Sequence, residues 1–521
     1  MPFNEAVVRS NLAKILSLIE DDLELVKEEY YLKNHAGTNG FIDILAKDRA
    51  GNLVVIEVKI SKQAERDAIT ELFKYTALLK QTFSIKDSEI RLIVISTDWR
   101  ELLVPFSEFT WNTNYNSSGY LAKVDINGLP KSIKPIQLLP PNSDRKIIPR
   151  HWIQCYQDAS KRDIAAKDYA KEIINRGIEN FVILSLTYEY PHHKVIGYGF
   201  YFAQQEENLK FHKKILRNIN PERYSEVCDY TEDFSEDEDI LNEFADATIE
   251  NIQVAAYEKQ ISNPEKIKGY LENKNWEITS IARYGSFQRD IRLSDAQIID
   301  EICGFSGGSY TWFNATCKSE NKSHLGEISS RYSNCLYNND SWRVFIRDAI
   351  DYFKTKPSDA ILHLSIFNPE NILESISYYK RTEDQAYLPK FTLIIETPSS
   401  NRLDIFYGKI CLVSQPLLKI EELSQKHFNS SLSHALLFQH LHLISGINSE
   451  IMSDLGLTPK VGYVCSENGE ETHSGSNPRF RGRQVLFDDQ QLEDLTVWIA
   501  KNEVFAKNIA TEYLSFMSPI F

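Results

Sequence analysis

The sequence lacks any apolar run long enough to span a bilayer, and Met1–Ser10 has no signal-peptide core, so neither a membrane protein nor a secreted precursor is expected. It also lacks patterned cysteine. Seven Cys are scattered, with no Cys-x-x-Cys and no zinc-type Cys/His pairing. That argues against a disulfide framework or a zinc site and for reduced thiols in the cytoplasm. An excess of positive charge is missing too: the net charge of −15 excludes a uniformly basic nucleic-acid binder, although a metal and a local groove can still meet phosphates. Residues 1–140 carry 17 Lys and Arg against 19 Asp and Glu, so the negative excess lies mostly downstream. Internal repeats, coiled coils and long low-complexity segments are absent. What remains is a globular chain of 521 residues, too long for one ordinary core, with two or three domains expected.

The stretch with the most chemistry is Gly40–Tyr75, GFIDILAKDRAGNLVVIEVKISKQAERDAITELFKY. It reads as strand, turn, strand and helix. One strand face carries Phe41, Asp43 and Leu45; in the next strand Val55, Glu57 and Lys59 share a face. Between them Asp48-Arg49-Ala50-Gly51-Asn52 is turn chemistry. A hairpin symmetric about Ala50 sets Asp43 opposite Glu57. Two carboxylates facing each other in apolar surroundings repel unless a cation lies between them. A divalent metal with hard oxygen ligands suits that place, and Lys59 follows on the same face. The apolar character of Leu53–Ile60 on both sides predicts a central strand rather than a solvated edge hairpin.

Asp43 followed by Glu57-Val58-Lys59 resembles the PD-(D/E)xK nuclease superfamily. The surrounding text, with its Gly-x-(Ile/Val)-Asp strand, is most similar to the NucS-type endonuclease domain and covers roughly residues 1–140. The family's following helix carries Gln-x-x-x-Tyr; here Glu71-Leu-Phe-Lys-Tyr75 stands in its place, so Glu replaces Gln. The resemblance implies Mg²⁺ or Mn²⁺ held by Asp43, Glu57 and the Val58 carbonyl, with Lys59 orienting the attacking water and stabilising charge on the phosphate. It also implies an acid on the first helix. Asn4 can cap a helix from Glu5 to about Asp22, and Glu5 lies on the stripe of Val8, Leu12, Ile15 and Ile19. That role goes to Glu5, with Glu20 as runner-up. The implied fold of that region is α/β, a restriction-endonuclease-like mixed sheet with helices; the sequence downstream of it reads as one or two α+β domains.

Beyond the linker at Leu139–Asp144, the divisions expected are 145–355 and 356–521, the latter a C-terminal domain or a continuation of the second, with the cut near Thr355–Pro357. The His192-His193 pair reads as a loop, since neighbours on a strand point to opposite faces. Phe211–Arg217 is a small basic amphipathic piece, and Asp229–Asp239 is an acidic loop or the start of an exposed helix. Cys303–Asn314 has clustered Gly but no Gly-Lys-(Ser/Thr), so it fails the phosphate-loop pattern and reads as a turn. Leu432–Leu443 reads as a helix whose His434, His440 and His442 share no metal-ligand face. Gly475–Gln484 reads as a basic loop, with Arg479, Arg481 and Arg483 around Phe480 as candidates for phosphate contact and base stacking. The functional expectation is a metal-dependent endonuclease acting on nucleic acid, DNA first. The residues after 145 would regulate it, in a defence or repair setting, and a homo-oligomer is compatible. The alternative is a nuclease-fold protein that binds or senses nucleic acid without cutting it.

Overall fold

Segments rich in Val, Ile and Leu alternate with helical stretches through the first 140 residues, and the computed structural model gathers their strands into one sheet. It describes residues 4–60, 62–140, 145–188, 197–235, 237–252, 254–272, 276–413, 420–429, 434, 436, 446–489 and 493–516. The chain divides into two compact units, Met1–Asp144 and Arg145–Phe521.

In the first unit the order is α1 (Glu5–Ala13), β1 (Glu24–Leu32), β2 (Gly40–Lys47), β3 (Leu53–Lys59), α2 (Lys62–Thr82), β4 (Ile90–Ser96), α3 (Leu103–Asn112), β5 (Asn116–Val124) and β6 (Pro130–Pro135). The six strands lie side by side in sequence order. β3–β4 and β4–β5 are parallel and the remaining neighbours antiparallel. Each parallel step needs a crossover, and α2 and α3 supply them. Val8 and Leu12 of α1 pack on Ile44, Val54 and Ile56. Leu72 and Leu79 of α2 pack on Leu45, Val55 and Leu92 of the other face. The sheet is thus sandwiched by helices, a mixed α/β architecture, and β3 is buried on both faces, as its continuous apolar run requires.

The first helix is shorter than expected. Asn4 caps it by accepting from the Val7 N–H, but it stops at Ala13 instead of reaching Asp22. Ile15 leaves helical geometry at φ −137° and ψ 45°, and a tighter 3-10 turn follows over Leu16–Leu18. That turn brings Leu16 into the core beside Val8 and Leu12.

Among the described residues, the second unit holds two sheets. The first is built from β7 (His151–Tyr156), β8 (Phe181–Tyr188), β9 (Tyr198–Gln204), β10 (Glu258–Ser262) and β11 (Trp276–Arg283) in the order β10-β7-β9-β8-β11, all antiparallel. The basic piece Phe211–Arg217 lies in a helix, Leu209–Ile219, that buries His212, Ile215 and Leu216. The acidic run closes the helix Pro221–Tyr230 and opens Asp237–Ile249, whose three first-turn acids suit the positive helix end. Gly304 and Gly307 take positive φ in the turns of the 303–314 segment.

The second sheet is a seven-stranded antiparallel meander: β12 (Trp312–Lys318), β13 (Ile361–Phe367), β14 (Lys390–Thr397), β15 (Arg402–Leu412), β16 (Leu457–Glu467), β17 (Glu470–Arg481) and β18 (Gln484–Asp488). β12 pairs with β13 along its whole length. A division near Thr355–Pro357 would therefore cut this sheet between its first two strands. All seven cysteines are free thiols, six of them buried. None of the described helices is long and apolar enough to cross a membrane. His192 and His193, His440 and His442, and most of Leu432–Leu443 lie outside the described residues.

Candidate active site

The β2–β3 ladder runs from Lys47↔Leu53 to Ile44↔Ile56, and one more step brings Asp43 opposite Glu57. There the side chain takes over the pairing: Asp43 Oδ2 accepts the Val58 N–H at 2.9 Å. A buried N–H that loses a backbone partner must find another acceptor, and the carboxylate provides it while turning into the site.

Glu57 and Lys59, two residues apart on β3, point to the same side. Both are buried, at 1% and 4% exposure. Lys59 Nζ lies 2.6 Å from Glu57 Oε1 and 2.6 Å from Glu71 Oε2 on α2. Burial alone would lower the Lys59 ammonium, yet Glu57 and Glu71 hold it above the ordinary lysine range. Burial and then the Asp43 charge push the Glu57 carboxyl well above the usual carboxylate value. Glu57 Oε2 is buried and has no hydrogen-bond partner among the described residues. Unpaired oxygen, high proton affinity and a facing aspartate together mark a place for a cation or a proton.

Glu5, at the start of α1, belongs to the same centre. Burial raises its carboxyl, Lys59 opposes the rise, Asp43 and Glu71 add to it, and the Ile60 N–H donates to it. Tyr75, one turn beyond Glu71, is raised by burial and then by Glu57, Glu71, Asp43 and Glu5 in turn. Four carboxylates from α1, β2, β3 and α2 thus act on one another electrostatically. Among the described residues they do not converge as a ready-made cage of three metal-binding side chains.

Arg9 is the site residue that sequence reasoning missed. Its guanidinium lies 3.2 Å from Asp43 Oδ1, 2.7 Å from Glu29 Oε1 and 3.3 Å from Glu28 Oε1. Glu29 sits in β1 at φ +48°, a strained conformation for a residue with a Cβ. The available signal was spacing: Arg9 lies four residues after Glu5, on the same helix face.

The remaining candidates fall elsewhere. Glu20 accepts Arg91 Nη2 on both oxygens at 2.8 Å, and Tyr120 donates to it at 3.2 Å. Arg91 also reaches Asp48 of the hairpin turn, so this network holds the opposite end of the strands. Val58 follows Glu57 on β3 with its side chain in the core beside α1. Gly475–Gln484 is not a loop but most of a hairpin, with Arg481 paired to Gln484 across the turn. Phe480 packs on Tyr352, Phe345 and Phe406 and is not free to stack on a base. Arg479 pairs with Asp488 at 2.8 Å. Arg479, Arg481 and Arg483 are exposed in the second unit.

Residues 4–101 match the family model of the endonuclease NucS C-terminal domain. The matched stretch contains Glu5, Arg9, Asp43, Glu57, Lys59, Glu71 and Tyr75. No curated protein and no solved structure matches the chain.

Proposed function

With a NucS-like nuclease domain at residues 4–101, we propose that this protein is a metal-dependent endonuclease that hydrolyses phosphodiester bonds, in DNA first, at the centre formed by Asp43, Glu57 and Lys59. The observation that carries the reading is the buried Glu57 Oε2, without a hydrogen-bond partner among the described residues, on the strand position opposite Asp43. A carboxylate oxygen left dry and unpaired costs folding free energy, and a hard divalent cation would offset that cost. Asp43, Glu57 and the Val58 carbonyl would hold Mg²⁺ or Mn²⁺, a donor set that suits an ion keeping several waters and substrate oxygens. When bound, the ion supplies Lewis acidity toward a phosphoryl oxygen.

The chain's own residues supply the rest. Lys59, held protonated by Glu57 and Glu71, donates hydrogen bonds to the phosphate or to the attacking water and balances charge that develops on the phosphate. Glu5, with its raised proton affinity, can take up the proton that the water releases. Arg9 shields Asp43 and, once freed from it, offers a forked donor to a phosphate. The residues after 145 are proposed to govern when cleavage occurs, in defence or repair. What supports this is the joining of the nuclease domain to a larger second unit.

One observation favours a second reading. Arg9 and Lys59 already neutralise Asp43 and Glu57, an arrangement that also suits a nuclease fold retained for binding without cutting. Incubating the full chain with plasmid, linear and single-stranded DNA and with RNA, in Mg²⁺, Mn²⁺ or EDTA, separates the two. The cleavage reading expects metal-dependent products that Lys59→Ala and Glu57→Gln no longer form. Undiminished products from either variant would exclude this centre, and no products from wild type under any condition would leave the binding reading.

A further inference from the structure

The seven-stranded sheet has two unlike faces. Leu364, Leu393, Phe406 and Tyr463 point into the largest core cluster of the second unit, beneath the helix Asp340–Phe353. On the other face Ser365, Thr392, Ile394, Tyr407, Lys409 and Lys460 are exposed or half-buried, and their registers set them in rows across the strands.

One row joins Lys390, Lys409 and Lys460, cross-strand neighbours on β14, β15 and β16. Like charges directly opposite one another destabilise a sheet. Among the described residues Lys409 Nζ lies 2.9 Å from Asp494 Oδ2, and Lys390 Nζ donates to the Gln385 carbonyl at 3.2 Å. In a chain of net charge −15, three aligned lysines on one face are a local reversal of sign.

The next row runs Asn314, Ser365, Thr392, Tyr407 and Gly462. Gly462 leaves room for Tyr407: a Cβ at 462 would run into the tyrosine ring, so the ring lies across the backbone of β16. Lys409 Nζ stands 5.8 Å from the centre of that ring. Beside it lies a shallow depression of about 210 Å³, lined by Asn314, Thr316, His363, Ser365, Thr392 and Ile394. Thr316 Oγ1 and His363 Nδ1 are 3.0 Å apart within it. The face therefore offers an aromatic ring laid on the sheet, hydrogen-bonding groups that line a depression next to it, and a row of ammonium groups one step further on.

We infer that this face binds an unpaired nucleic-acid strand. Bases would stack on Tyr407 and meet the Asn314–Thr392 depression with their edges, while the backbone phosphates follow Lys390, Lys409 and Lys460. A positively charged track combined with an aromatic platform is how proteins hold single strands without strict sequence preference. The bases of a duplex are stacked on one another and cannot use the ring. The inference goes beyond the cleavage reading and is tested without cleavage.

The test is fluorescence anisotropy of the full chain in EDTA, with labelled DNA and RNA single strands of one sequence and the matching duplex. The wild type is expected to prefer the unpaired strands, and the DNA and RNA arms identify which strand is favoured. Tyr407→Ala should weaken binding about ten-fold, and Tyr407→Phe should restore it. Replacing Lys390 and Lys460 by Gln should reduce the slope of log affinity against log salt by about 1.4. Wild-type affinity in both Tyr407→Ala and the lysine variant would overturn the inference. So would a preference for the duplex, or a dimer that dissolves in Tyr407→Ala while strand affinity stays unchanged. Strand binding without cleavage in metal would defeat the endonuclease reading alone; cleavage with unaltered binding by these variants would defeat this one alone.

Discussion

Glu57 carries opposing demands. Burial and Asp43 disfavour its charge, Lys59 favours it, and burial with Asp43 prevails. The sign of the pH effect follows. An unfolded glutamate titrates near 4.5, and the folded one titrates higher, so between those values the folded state holds the extra proton. Metal-free stability therefore falls as pH rises upward from about 4.5. Glu57→Gln has no such titration, so its Tm relative to wild type should rise with pH across that window in thermal melts in EDTA. A constant difference would mean that Glu57 is not raised. Glu20 provides the contrast. Glu20→Gln should cost about 1–2 kcal/mol of stability, because Arg91 loses a charged partner, yet leave cleavage intact; lost cleavage with retained fold would bring Glu20 into the site. Asp43, Glu57 and Lys59 were legible because strand side chains alternate and a symmetric turn fixes which ones face each other. Arg9 was harder to read: an arginine on an amphipathic helix ordinarily faces solvent, and its partners Glu28 and Glu29 come from a strand whose orientation the sequence leaves open.

At the scale of elements, the site depends on α1 being anchored at its first turn. The Asn4 side chain accepts the Val7 N–H at 3.0 Å, which fixes the turn bearing Glu5 and, one turn later, Arg9. Asn4→Ala should cost about 1 kcal/mol in chemical denaturation and lower cleavage by loosening both residues. Unchanged stability would show that the cap contributes nothing. The helix–strand–strand–helix order was readable from periodicity, and the length of α1 was not. Apolar spacing continues through Ile19, but burying Leu16 called for a tighter turn than an α-helix provides. The hairpin formed by β17 and β18 departs from the loop expected from sequence for a related reason. Gly475, Pro478 and Gly482 suggested a loop, whereas the Arg-Phe-Arg alternation at 479–481 has the two-residue period of a strand whose Phe480 is turned inward.

For the whole molecule, the two units have separate cores: the clusters around α1 and α2 draw only on residues of the first unit. A fragment of residues 1–144 should unfold cooperatively and cut in Mg²⁺ or Mn²⁺, at a rate different from the full chain if the second unit regulates it. Equal rates would remove the support for regulation. The division of the chain near residue 144 was legible from its Pro-Pro-Asn-Ser linker. The continuity of the seven-stranded sheet was not, because β12 and its partner β13 are separated by two helices, and pairing over such a distance leaves no local pattern.

The central claim is that Asp43 and Glu57 jointly hold a divalent cation. Anomalous scattering from a crystal of the full-length protein soaked in Mn²⁺ tests it most directly. The account predicts a peak between Asp43 and Glu57 that is missing from Glu57→Gln; a site without density at saturating Mn²⁺, or a peak held by other residues, would contradict it.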